Sequence, residues 1–173
     1  MRPMSGSYNN STRMRIADIN GGLRVKTGVL LNTVYAIQAQ VNMFNVYGRV
    51  QILNLYGEII VVMSATATTL KFNATWTTPT VAAANITAAS GSMTGQKQGV
   101  RVYCVGGAVA TAAVITASQG ISDINVTPII IGMKSGVGTI GQLTAGANGT
   151  SGSIQYFVHY IPMSEGAYIS SIL

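Results

Sequence analysis

Apolar and polar residues alternate through much of this chain, and residues 151–169 show the pattern most fully. Ile154, Tyr156, Val158 and Tyr160 share one face of an extended segment, while Gln155, Phe157, His159 and Ile161 share the other. Bulk on both faces at period two predicts a strand held between two layers. Pro162 has no N–H to donate and ends the ladder. Ser164-Glu165-Gly166 supplies turn chemistry. Residues 167–172 are then expected to run back as the partner strand of a closing hairpin.

The same period recurs upstream. In residues 69–76, Leu70, Phe72, Ala74 and Trp76 alternate with Lys71, Asn73 and Thr75, which predicts a half-buried strand. Thr77-Thr78-Pro79-Thr80 turns the chain. Residues 44–65 read as three short strands punctuated by Gly48 and Gly57. Val50 and Ile52 share a face, whereas Leu53 and Leu55 put bulk on the opposite one, so a bulge or a strand buried on both sides is expected. Residues 29–46 favour strand, but the spacing of Val34, Ile37, Ala39 and Val41 also fits a helix over 32–42, and both readings stand. Further strands are expected at 99–105, 108–117, 124–131 (edged by Pro128) and 139–144. Residues 81–89, rich in small side chains, choose no element. Nine to eleven short strands at intervals of about ten residues predict an all-β domain, a single β-sandwich or jelly-roll-like barrel.

Composition adds an unusual surface. The chain has 173 residues, 48% hydrophobic but only 8% charged, against about 25% charged in an ordinary globular protein. Its polar surface therefore consists of Ser, Thr, Asn, Gln and Gly. Uncharged surface suits burial against other protein, because charge is depleted at the centres of interfaces. Residues 1–26 carry Arg2, Arg13, Arg15, Arg24 and Lys26 against Asp18, a net +4 out of a total of +6. Residues 1–28 are thus read as an extended basic arm ahead of a domain over 29–173. Those five cations are the candidate partner-binding residues, expected to pair with acidic groups on a neighbouring subunit. Direct nucleic-acid contact is disfavoured, since the cations form no dense cluster.

Candidate chemistry is sparse. His159 alternates into an aromatic strand and reads as structural. Asp18, Glu58, Asp123 and Glu165 are far apart and form no motif. One histidine and one cysteine are too few for a zinc site. Cys104 has no partner for an intrachain disulfide and reads as a small buried hydrophobe. No phosphate loop, nucleophile elbow or dinucleotide fingerprint occurs. The first residues lack the apolar core of a secretory signal, and no apolar run reaches the ~20 residues of a membrane helix. No catalytic residue, cofactor or metal is assigned, and no membrane is expected.

Gly138-Thr139-Ile140, the aromatic strand, and Tyr160-Ile161-Pro162-Met163-Ser164-Glu165-Gly166-Ala167 together resemble the closing motif of small all-β virion proteins of tailed bacteriophages. The glycine-separated strands of residues 44–58 are similar to their opening. The resemblance implies a capsid decoration, or cement, protein: a non-enzymatic structural component of the virion. Its partners would be the major capsid protein and further copies of itself, as a homotrimer. It would be assembled in the cytoplasm of a bacterial host. The alternative is a tail or head-fibre module that binds a host surface glycan. A cement protein should show flat, uncharged contact faces, and a glycan binder an exposed aromatic platform with amide or carboxylate neighbours.

Overall fold

The computed structural model describes residues 23–31, 40–65, 68–105, 111–116, 127–146 and 151–172. Among them eleven strands and no helix occur, arranged as two antiparallel sheets that face each other. One sheet contains β1 (Leu23–Leu31), β10 (Ser153–Pro162), β3 (Val50–Val61), β6 (Arg101–Tyr103) and β7 (Val114–Ile115), in that spatial order. Strand β8 (Ile129–Ile131) also pairs β3, at the end of β3 away from β6. The opposed sheet runs β11 (Tyr168–Ser171), β2 (Gln40–Tyr47), β9 (Val137–Gly146), β4 (Thr68–Thr78) and β5 (Thr80–Asn85). The fold is a β-sandwich, as the strand spacing predicted.

Strand β10 lies between β1 and β3. Its inward face, Ile154, Tyr156, Val158 and Tyr160, is buried against Phe44, Val46, Phe72 and Ile140 of the opposed sheet. Complete burial of such a side chain contributes about 1.5–3 kcal/mol. Its outward face is closed differently. Phe157, Tyr56 and Tyr103 stand in one row across β10, β3 and β6 and stack at 5.0 and 5.1 Å between ring centroids. They form a second buried cluster. The Arg101 guanidinium lies 5.5 Å from the Tyr56 ring centre and donates to Glu58 at 2.9 Å. Bulk on both faces of β10 therefore has two causes, the sandwich core and this aromatic row.

Four expectations change. Gly57 does not end a strand: β3 runs through it, and the glycine gives room to the Tyr156 ring opposite. The bulge foreseen near Leu53 does occur. Asn54 pairs His159 while Ile52 pairs Tyr160, so Leu53 is the extra residue. That shift returns Leu55 to the face of Val50 and Ile52, and all three are buried. The closing hairpin is not one. Strand β10 pairs β1 and β3, whereas β11 crosses to the other sheet and pairs β2. The strand expected at 139–144 extends over Val137–Gly146. The boundary at 28/29 falls inside β1: residues 23–28 belong to a sheet, and Leu23 and Val25 pack against the core. Gln40–Tyr47 is strand, while residues 32–39, where helix competed with strand, lie outside the described residues.

The closing motif has a local explanation. Ser164 Oγ accepts the Arg49 N–H at 3.0 Å, and Met163 N–H donates to Arg49 O at 2.8 Å. Gly48 turns the chain from β2 to β3 at φ +72, with Ala167 and Ser164 closed over it. A Cβ there would meet Ser164 Oγ and Ala167 Cβ within 3 Å and would also strain the left-handed backbone. The motif therefore clamps the β2–β3 turn and leads the chain from one sheet into the other.

Candidate functional site

The outer face of the five-stranded sheet follows from the period of its strands. Phe44, Val46, Phe72, Ile140 and Gln142 point to the core, so Asn45, Asn73, Thr75, Thr139 and Gly141 point away. The register places Asn45, Thr139 and Thr75 in one cross-strand row. Asn42, Gly141, Asn73 and Asn85 form the next. Side chains bridge the strands: Gln40 Nε2 donates to Asn42 Oδ1 at 2.8 Å and to Thr75 Oγ1 at 3.1 Å. Thr139 Oγ1 donates to Asn42 Oδ1 at 3.3 Å. Gly141 keeps the centre flat, because a Cβ there would meet Asn73 Oδ1 at 2.8 Å and Val41 O at 2.9 Å. Asn73 Oδ1 is buried without a hydrogen-bond partner among the described residues.

One corner of this face is aromatic. Tyr47 and Tyr168, opposite each other on β2 and β11, stack with centroids 4.3 Å apart and planes at 16°. Tyr168 is 46% exposed. Its hydroxyl is held above the usual phenol range by desolvation and by the neighbouring Tyr47.

A second feature opens at the edge of the sandwich. A groove of about 570 Å³ runs between β8 and the β4–β5 hairpin, lined by Trp76, Ile86, Pro128, Ile129, Ile131 and Gly132 among others. Among the described residues that line it, none is charged.

The residues singled out from the sequence are not brought together. Arg24 and Lys26 lie in β1, in register with His159 and Phe157. Arg2, Arg13 and Arg15, and the acids Asp18 and Asp123, lie outside the described residues. Glu58 pairs Arg101, and Glu165 is exposed in the turn before β11. Opposing influences act on the Arg101 guanidinium. Burial lowers its pKa, hydrogen bonds to Tyr103 and Glu58 raise it, and the net shift is upward. His159 stands edge-on to Tyr56 at 6.4 Å between centroids, which accounts for it as a packing residue. Cys104 is buried, as expected of a small hydrophobe. Among the described residues no three His, Cys, Asp or Glu side chains gather as metal ligands would. Sequence reasoning missed Asn42, Asn45, Thr139, Tyr47 and Tyr168. The alternation of Asn73 and Thr75 with core residues was the available signal, but it located one strand of the face and not its neighbours.

A scan against protein-family models, a search of curated proteins and a search of solved structures each return no match.

Proposed function

We propose that this protein is a non-enzymatic structural component of a phage particle, a decoration protein that binds and stabilises the major capsid shell. The observation that carries the reading is the outer face of the five-stranded sheet. It is flat at Gly141, largely uncharged, and covered with amides and hydroxyls already tied to one another. The centre of the face is desolvated without stranding a charge, Lys71 standing to one side in the row of Gln40 and Leu143, and pre-ordered side chains lose less freedom on docking. The closing motif supports the same assignment by its resemblance to small virion β-proteins. Binding adds buried area across junctions between capsid subunits, as a homotrimer, and resists the pressure of packaged DNA.

The test is co-sedimentation with particles that lack the protein. Asn45→Lys and Thr139→Lys place charge in the middle of the face. They should abolish occupancy while the melt stays that of the parent, since neither side chain is in the core. Full occupancy by both variants would remove the face from the assignment. The Tyr47–Tyr168 stack favours a second reading, a fibre module that binds a neutral host glycan. Calorimetry with purified host surface polysaccharide decides it. Saturable binding that Tyr168→Ala abolishes would replace the capsid reading.

A further inference from the structure

Among the described residues two pairs of tyrosines stack ring on ring, and they differ in access. Tyr56 and Tyr103 stack at 5.1 Å within the second buried cluster. Tyr47 and Tyr168 stack more closely, with centroids 4.3 Å apart and planes at 16°. Tyr168 is 46% exposed and Tyr47 is half-buried, so a solute can reach this pair. The closeness follows from register. Tyr47 and Tyr168 are direct cross-strand partners on β2 and β11. Their Cβ atoms start about 4.5–5.5 Å apart on one face of the sheet. The ring centres are no further apart than that, so the nearly parallel rings lie side by side along their length. Each ring carbon then stands about 4–5 Å from its counterpart, and that includes the carbons ortho to the two hydroxyls.

We propose that Tyr47 and Tyr168 are a site of oxidative cross-linking, where a one-electron oxidant of the haem peroxidase class, supplied with hydrogen peroxide, joins them as dityrosine. Each phenol gives one electron to the oxidant and one proton to water. The two phenoxyl radicals couple, and a C–C bond forms between a carbon ortho to each hydroxyl. Each of those carbons then loses its hydrogen as a proton, and a proton returns to each oxygen, which restores both aromatic rings and both hydroxyls. In sum two hydrogen atoms leave the pair, and one hydrogen peroxide is reduced to two waters. The stack holds the reacting carbons together before oxidation, so coupling within the pair competes well against coupling between molecules. The product would staple β11, a four-residue strand at the edge of its sheet, to β2. It would also close a loop from residue 47 to residue 168, and closing a long loop constrains the unfolded chain, as a disulfide does. The inference concerns the chemistry of this pair and stands whether or not the particle is a capsid.

The experiment treats the dilute full-length protein with a haem peroxidase and hydrogen peroxide, beside an untreated control. A denaturing gel, dityrosine fluorescence and mass spectrometry of the proteolytic peptides read the result. The product should keep the size of one chain, gain dityrosine emission, and weigh two hydrogen atoms less than the parent. One linked peptide pair should carry Tyr47 and Tyr168, and the linked protein should melt above the control. Tyr47→Phe and Tyr168→Phe should each abolish that link. Both variants keep the ring and lose only the hydroxyl, so their folding before treatment should match the parent's. Tyr56 and Tyr103 should stay unlinked, because they stack without access. No dityrosine, links only between chains, or a Tyr56–Tyr103 link of equal yield would overturn the proposal. A gain of oxygen at Met163, 40% exposed, without a linked peptide pair would overturn it as well. A link without a rise in the melt would overturn its role as a staple.

Discussion

Gly57→Ala adds one methyl group to the middle of β3, at a point where the sequence invites a break and the structure shows close packing. The new Cβ would stand 2.7 Å from Tyr156 Cε1 and 2.8 Å from Ile154 Cγ2. Neither neighbour yields easily. Both are buried, and the Tyr156 hydroxyl donates to Gln142 Oε1 across the sandwich. Overpacking of this kind costs about 1–3 kcal/mol. Replacing a strand glycine by alanine returns about 0.5–1 kcal/mol, because the unfolded chain loses freedom. The net expectation is a loss of about 1–2 kcal/mol, or roughly 2–8 °C in Tm for a domain of this size. Urea unfolding followed by Trp76 fluorescence, with a thermal melt beside it, measures the change. The cause is checked in a Tyr156→Leu background. Removing the ring should remove part of the cost, with a coupling of at least about 0.5 kcal/mol. A Gly57→Ala protein as stable as the parent would refute the packing account, as would a cost unchanged by Tyr156→Leu.

Phe157→Ala should destabilise by about 3–5 kcal/mol even though Phe157 points away from the opposed sheet, because it is buried in the row with Tyr56 and Tyr103; a melt like the parent's would show that the row is not a second core. Tyr168 ionises above the normal range, with Tyr47 as one cause, so Tyr47→Phe should bring its transition back toward about 10 in an ultraviolet pH titration. The sign follows from linkage: a phenol raised in the folded state stabilises below its unfolded pKa of about 10, and that stability is lost as the pH rises through the folded value. Glu58→Gln should change stability by no more than about 1 kcal/mol, since both partners of the Glu58–Arg101 pair are 27% exposed and water screens them.

The fold class was legible because period-two alternation is a local property of the chain: each side chain's face follows from its neighbours alone. Ile154, Tyr156, Val158 and Tyr160 identify the inward face of β10 with no knowledge of what they meet. The change of face between Ile52 and Leu55 likewise forecast the bulge, because two successive faces cannot both be inward without an extra residue. Partnership was not legible. The same β-turn residues serve a hairpin or a crossing between sheets, so Ser164-Glu165-Gly166 gave no sign that β11 would pair β2 rather than β10. Gly57 illustrates the limit in a single residue: glycine both ends strands and makes room within them, and only the Tyr156 ring opposite decides between the two. The candidate site lies on the same side of that line. Asn42, Asn45, Asn73, Thr75 and Thr139 are unremarkable polar positions spread over almost a hundred residues of sequence. They become one surface because the register of β2, β9 and β4 brings them to adjacent rows, and register is fixed by long-range hydrogen bonds that no local stretch encodes.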